Sequence, residues 1–181
     1  MARGRTSHGN FVRTPEVPTL SVLTASVVPN LAAPFAFEVV LEVDGHPLQE
    51  LLRGVDEPEA WVGPPFEIIK SPSRHLIGGG NEWGGDGFPE GKVALLACSC
   101  GDPQCGALLA TITVMADVVT WSDIECFGRP KADLSAIPGF SFRSMDYFAK
   151  LGDLSLPEAA TGGIHARHRL GAHQEGHPIR P

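Results

Sequence analysis

Short apolar runs rich in β-branched residues recur along the middle of this chain, and turn residues separate them. Three such runs follow one another closely: Val93 to Cys98, Leu108 to Val114 and Val118 to Ile124. Gly101-Asp102-Pro103 lies between the first two runs, and Ala116-Asp117 lies between the last two. Because β-branched runs broken by turn residues are typical of hairpins, this pattern predicts a three-stranded antiparallel meander.

The flanking sequence predicts further short elements. Phe35 to Val43 has the composition of a strand and ends at the turn Asp44-Gly45. Leu48 to Arg53 has the character of a short helix, and Phe66 to Lys70 is interpreted as a strand. Phe140 to Phe142 is interpreted as a short closing strand.

A second helix is predicted after the closing strand, from Met145 to Leu151. Ser144 precedes it and is a residue type that caps helices. The helical period places Phe148 and Leu151 on one side, with Tyr147 beside them. This side is expected to pack on the core face of the sheet.

These elements together predict an α+β fold, with a mainly antiparallel sheet, a central three-stranded meander and one or two short helices. Residues 1–33 are interpreted as a flexible N-terminal segment, 34–153 as a single domain and 154–181 as a disordered Gly- and His-rich tail. The tail histidines are either a loose metal-binding cluster or residues without a specific role, and the second interpretation is favoured: His165, His168, His173 and His177.

Charge and hydropathy exclude some classes of function. The 181 residues carry a formal net charge of −7, which argues against a general nucleic-acid binder. No run of about 20 apolar residues predicts a membrane helix, and the start lacks the continuous apolar segment of an export signal. A cytoplasmic location is therefore expected, where structural disulfides are disfavoured. Any partner is expected to be another protein.

The four cysteines all lie in the meander, and the candidate chemistry depends on its register. If Met115 pairs with Val118, Ala107 falls opposite Cys126 in the second hairpin. Side chains alternate between the two faces of a sheet, so Cys126 is then expected on the face opposite the core.

The other three cysteines come together in the first hairpin if one cross-loop pairing is assumed. If Cys100 pairs with Cys105 across the loop, Cys98 falls opposite Ala107. All four cysteines then lie on the more polar face, at the same end of the sheet. Trp121 is expected on the other face, which forms the core.

Three interpretations of this cluster remain open. Zinc takes four nitrogen or sulfur ligands in a tetrahedral arrangement, so Cys98, Cys100, Cys105 and Cys126 are the predicted ligands of a zinc site, with a tail histidine or water as other candidates for the fourth ligand. The cysteines can instead be small buried thiols without chemistry. In the third interpretation, Cys100 and Cys105 form a redox-active disulfide, which requires Cα atoms within about 7 Å.

The same residues carry a resemblance to a family. The runs LLACSCGDPQCGALLATITV, VVTWSD and PGFSFRSMDYFAKL resemble an uncharacterised, chiefly actinobacterial family of small proteins with a C-x-C-G-x-x-x-C hairpin and a V-x-W-x-D strand. Many members have His-Arg-Pro after that strand, whereas this chain has Gly128-Arg129-Pro130. The resemblance implies a fold rather than an activity. It rests on nine positions: Cys98, Cys100, Gly101, Cys105, Trp121, Asp123, Phe140, Phe142 and Tyr147.

The sequence favours a non-enzymatic binding or accessory protein whose cysteine cluster holds a structural zinc. The alternative is a thiol redox protein or sensor that uses Cys100 and Cys105. A reactive thiol needs a nearby base or cation to lower its pKa, and no Lys or Arg lies between Lys92 and Arg129. No catalytic motif is present, and the glycine-rich stretch 78–87 lacks the Lys-Ser/Thr that follows a phosphate-binding loop.

Overall fold

The computed structural model describes residues 19–30, 36–52, 61–66, 69, 74–77, 88–100, 105–128, 134, 137 and 139–156. Within them the chain forms a three-stranded sheet in the order β1-β2-β3 and a five-stranded sheet in the order β4-β5-β6-β7-β8. No helix in this part of the chain is long and apolar enough to cross a membrane. The elements are β1 (Leu23–Pro29), β2 (Phe37–Val43), β3 (His46–Pro47), α1 (Leu48–Leu51), β4 (Trp61–Val62), β5 (Lys92–Cys98), β6 (Ala107–Val114), β7 (Val118–Phe127), β8 (Phe140–Arg143) and α2 (Ser144–Gly152).

The predicted α+β class and the central meander are confirmed. All strand pairs within the two sheets are antiparallel, and β5, β6 and β7 are consecutive neighbours in the larger sheet. The helices are short, with 4 residues in α1 and 9 in α2.

The N-terminal strand β1 was not predicted, because it lies within the segment 1–33 interpreted as flexible. It pairs with β2 over its whole length, from Leu23 opposite Val43 to Pro29 opposite Phe37. Its sequence mixes Ser, Thr and Pro with the apolar residues, and only Leu23 and Val27 are buried. The interpretation of this part of 1–33 as flexible is therefore wrong.

Backbone hydrogen bonds join the two sheets at both ends. On one side, the Ser21 amide donates to the carbonyl of Ser141 at 2.7 Å, which connects the start of β1 to β8. On the other, the Val39 amide of β2 donates to Pro64 at 2.8 Å, just after β4. The sheets therefore form a ring around one core, which includes Leu41, Leu95, Leu108, Trp121, Phe142 and Tyr147.

The segment around the predicted strand Phe66 to Lys70 is organised differently from the prediction. The strand here is the earlier and shorter β4, which pairs with β5. Phe66 lies in a turn and donates its amide to Phe37 at 3.0 Å, while Ile69 lies in a bend. The other positions of the predicted strand lie outside the described residues.

Helix α2 buries a different side from the predicted one. Tyr147 and Leu151 are buried, whereas Phe148 is 39% exposed. Ser144 does not cap the helix; its hydroxyl donates to the Met115 carbonyl at 3.0 Å. Because β8 continues directly into α2, the strand fixes the side that faces the sheet.

Trp121 lies in the core, as predicted. It is fully buried and lies on the same face as Ile112 and Val119. Its indole N–H donates to the Tyr147 hydroxyl at 3.1 Å, and that hydroxyl donates to the Leu76 carbonyl at 2.6 Å. The polar atoms of these two buried aromatic side chains therefore have hydrogen-bond partners within the core.

Candidate metal centre

Three cysteines meet at the end of the first hairpin of the meander. The Sγ atoms of Cys98, Cys100 and Cys105 all lie within 4.8 Å of one another. Among the residues that the structure describes, this is the group of His, Cys, Asp or Glu side chains close enough to share a metal ion. The three residues predicted from the C-x-C-x4-C spacing therefore converge.

The hairpin positions each sulfur differently. Cys98 is the last residue of β5. Its amide donates to the Gly106 carbonyl at 2.9 Å, and on the opposite side of the strand Cys98 pairs with Trp61 of β4. Cys105 immediately precedes Gly106 on the returning chain. Cys100 lies in the turn and is exposed, while Cys98 and Cys105 are half-buried. The group therefore has two thiols fixed near the sheet and one at the surface.

The predicted register of the first hairpin is wrong by one residue. Ala97, rather than Cys98, lies opposite Ala107. A bulge in β5 between Ala94 and Leu96 also changes which residues face the core beyond it. Leu95 and Leu96 consequently both pack in the main core.

The register of the second hairpin is right at its turn and wrong at its far end. The Met115 amide donates to the Val118 carbonyl at 2.9 Å, as predicted. Ala107, however, lies opposite Phe127 rather than Cys126. The pairing shifts between Leu109 and Thr111, close to Asp123 of β7, whose backbone has a φ of 48°. A bulge that adds one residue to β7 accounts for the change.

Cys126 consequently has a different environment from the other cysteines. It lies opposite Leu108 and packs against the main core, rather than on the predicted polar face. Strands are spaced about 4.8 Å apart, so two spacings place β7 about 10 Å from β5. Cys126 is not in the group of three, and its predicted role as a fourth ligand stays a prediction.

The sulfur positions suit a thiophilic metal ion. A tetrahedral site with Zn–S bonds of about 2.3 Å has sulfurs about 3.8 Å apart. The observed separations of up to 4.8 Å thus require the sulfurs to approach by about 1 Å at most, which small side-chain rotations supply. Soft thiolate ligands also bind copper(I) and iron–sulfur clusters. The donor set therefore defines a class of metal, and its identity is open.

The charged lysine of β5 lies far from the three sulfurs. Lys92 is at the opposite end of the strand from Cys98, about 20 Å away at the rise of a β-strand. Its ammonium group donates to the Asp123 carbonyl. Lys92 therefore does not activate a thiolate at this site.

His75 is a buried ionisable residue that the sequence analysis did not identify. Its Nε2 donates to the Ala94 carbonyl at 2.6 Å. Burial lowers the pKa of His75 to about 4, so the imidazole is neutral near neutral pH. No periodic pattern of apolar residues marks it in the sequence.

Several predicted candidates lie outside the described residues. They are the tail histidines His165, His168, His173 and His177; the glycine-rich stretch 78–87, which was not predicted to be a site, also lies outside them. Comparisons with protein-family models, with curated proteins and with solved structures find no match for this chain. The case for a function therefore depends on the cysteine geometry.

Proposed function

We propose that this protein is a non-enzymatic binding or accessory protein in which Cys98, Cys100 and Cys105 hold a structural zinc ion. The observation that carries the proposal is the approach of all three Sγ atoms to within 4.8 Å. Three thiol groups at one hairpin end have no hydrophobic reason to converge at the surface, where Cys100 is exposed.

Zinc at this position stabilises the fold by closing the hairpin. The loop that leads from Cys100 back to Cys105 connects β5 to β6, the central strand of the larger sheet. A metal ion that binds both ends of the loop only in the folded chain adds its binding free energy to folding. Since β4 pairs with Cys98, the same ion also secures the adjacent edge of the sheet.

The fourth ligand completes the proposal. Cys126 is the candidate from within the meander, and a tail histidine or water is the alternative. Four protein ligands define a closed structural site, whereas a water at the fourth position keeps the metal accessible. Cys126 would have to move from its place against the core, so it is expected to matter less than the other three.

The proposal includes a location and a kind of partner. A cytoplasmic protein with a net charge of −7 is expected to act on another protein rather than on nucleic acid. The resemblance to the actinobacterial family is part of this proposal and supports no activity. The alternative, a thiol redox protein that uses Cys100 and Cys105, receives no support from a nearby cation, because Lys92 lies at the far end of β5.

Metal analysis of untagged protein, purified under reducing conditions, tests the proposal. We expect one zinc ion per chain, and a lower melting temperature after treatment with a chelator. Cys100→Ser and Cys105→Ser should abolish zinc binding and lower the melting temperature, while Cys126→Ser should have a smaller effect on both. Protein without metal after zinc is supplied, and with a melting temperature unaffected by chelators, would show that these are thiols without a metal.

A further inference from the structure

The three cysteines differ in accessibility although their sulfurs are neighbours. Cys100 is exposed, and Cys98 and Cys105 are half-buried. A small oxidant from solvent therefore reaches the sulfur of Cys100 first. The separation of at most 4.8 Å places a second thiol within reach of any oxidised product that forms there.

From this asymmetry we infer that the site is a peroxide-responsive metal switch, in which oxidation of Cys100 by a hydroperoxide produces a Cys100–Cys105 disulfide and releases the metal ion. This inference rests on the proposed function, because it gives the same three ligands a regulatory role. It differs from a plain redox protein in two ways: the bound metal ion, rather than a Lys or Arg, keeps Cys100 as a thiolate, and that metal ion is what the oxidation removes.

The chemistry balances with hydrogen peroxide as the oxidant. The Cys100 thiolate attacks one peroxide oxygen, the O–O bond breaks, and the leaving hydroxide takes a proton to become water. The resulting sulfenic acid is attacked by the Cys105 thiolate, which forms the S–S bond and expels the second oxygen as water after protonation. Two thiolates have lost two electrons to the peroxide, and the metal ion, which has lost two of its thiolate ligands, leaves as a hydrated ion while Cys98 takes up a proton.

The backbone selects Cys105 rather than Cys98 as the second partner. Cys98 is held on both sides, by the bond from its amide to Gly106 and by its pairing with Trp61. It is also only two residues from Cys100, so a bond between them would close a small ring against the strand geometry. Cys105 lies two residues before Ala107, the first paired residue of β6, and so outside the ladder. A bond to Cys105 therefore disturbs the ladder least.

The consequence for the fold is local. The new disulfide links the two ends of the loop that the metal had linked, so the meander stays closed while the charge and shape of this surface change. The aromatic core around Trp121 lies elsewhere in the sheet and keeps its hydrogen bond to Tyr147. Oxidation is thus expected to change the hairpin end without unfolding the protein, as a switch requires.

The test uses the zinc-loaded full chain and one equivalent of hydrogen peroxide. We expect zinc release detected with a chromogenic chelator, loss of two free thiols, and a Cys100–Cys105 linkage in peptide mass spectrometry. A thiol reductant followed by zinc should restore the metal content. Ser99→Ala, an exposed position beside Cys100 that leaves all four thiols in place, is the matched control and should behave as the wild type.

The outcomes separate this inference from the proposed function. Protein that contains no zinc before peroxide is added overturns both. Zinc-loaded protein that retains its metal under peroxide, or that loses it only through irreversible sulfinic acid formation, overturns the switch and leaves the structural site. Cys98→Ser gives a second check, because a Cys100–Cys105 disulfide should still form in it; a disulfide that requires Cys98 would overturn the assigned pair.

Discussion

A single methyl group at Gly63 should disrupt the junction between the two sheets. Gly63 follows β4 and passes directly over β2, so a Cβ atom there would lie 1.9 Å from the carbonyl oxygen of Val39. Ordinary contacts begin near 3.4 Å, so the backbone must shift by more than 1 Å. The same strand position carries the hydrogen bond from Val39 to Pro64 at 2.8 Å, which joins the sheets.

The magnitude follows from two costs. Overpacking of a close-packed site costs roughly 1–3 kcal/mol, and loss of a backbone hydrogen bond adds about 1 kcal/mol. Gly63→Ala should therefore lower the free energy of unfolding by roughly 2–4 kcal/mol in urea titrations followed by tryptophan fluorescence.

Gly45→Ala is the matched control for Gly63→Ala. Gly45 has a φ of 80° and nothing within 4 Å of an added Cβ, so only backbone strain opposes the change. That strain is worth about 1–2 kcal/mol. A Gly63→Ala protein as stable as the Gly45→Ala protein, with an unchanged dependence on urea, would refute the close approach and with it the joined arrangement of the sheets.

Three further predictions concern the buried polar groups and the helix. Because burial lowers the pKa of His75 to about 4, the unfolded chain takes up a proton at this residue first as the pH falls. The contribution of His75 to the free energy of unfolding should be constant above about pH 6.5 and decrease by roughly 3 kcal/mol between pH 6.5 and 4. His75→Gln should remove this decrease in urea titrations at several pH values. Trp121→Ala should lower the free energy of unfolding by roughly 3–5 kcal/mol, and a near-neutral effect would contradict the burial of this ring. Tyr147→Phe should lower the free energy of unfolding by roughly 1–3 kcal/mol, because it removes the hydroxyl between Trp121 and Leu76, whereas Phe148→Ala, on the exposed side of the same helix, should lower it less. Equal melting temperatures for the two variants would contradict the assigned helix face.

The strands of the meander were predictable because each is an apolar run between turns. Their registers were not: the first hairpin already differs by one residue at its loop, where Ala97 lies opposite Ala107, and bulges shift the pairing further along both hairpins. A bulge adds one residue without leaving a compositional signal, and β5 is buried on both sides. Ala94 and Ala97 pack in a second small cluster with Ala107 and Leu109, so neither face is polar at this end. Alternation between apolar and polar residues therefore carries no register information here.

The N-terminal strand β1 was not predicted from the sequence for a different reason. β1 contributes two buried side chains, Leu23 and Val27, and its pairing energy comes from the backbone of β2. A strand held mainly by backbone hydrogen bonds needs little hydrophobic periodicity, so its composition resembles that of a loop. Its partner β2 was predictable because Val39, Leu41 and Val43 are all buried.

The cysteine cluster was predictable in part, for a reason that does not depend on register. Cys98, Cys100 and Cys105 are separated by a short loop at the end of one hairpin, and chain connectivity alone returns Cys105 to the vicinity of Cys98 whichever residues pair. The assumed pairing was wrong by one residue, yet the three sulfurs still lie within 4.8 Å of one another. Cys126 had no such constraint. Its predicted position required counting along two strands, and the extra residue near Asp123 placed it on the core face. Closeness set by loop length is therefore the stronger basis for a metal-site prediction than closeness inferred through a sheet, and it is the basis on which the proposed zinc site rests.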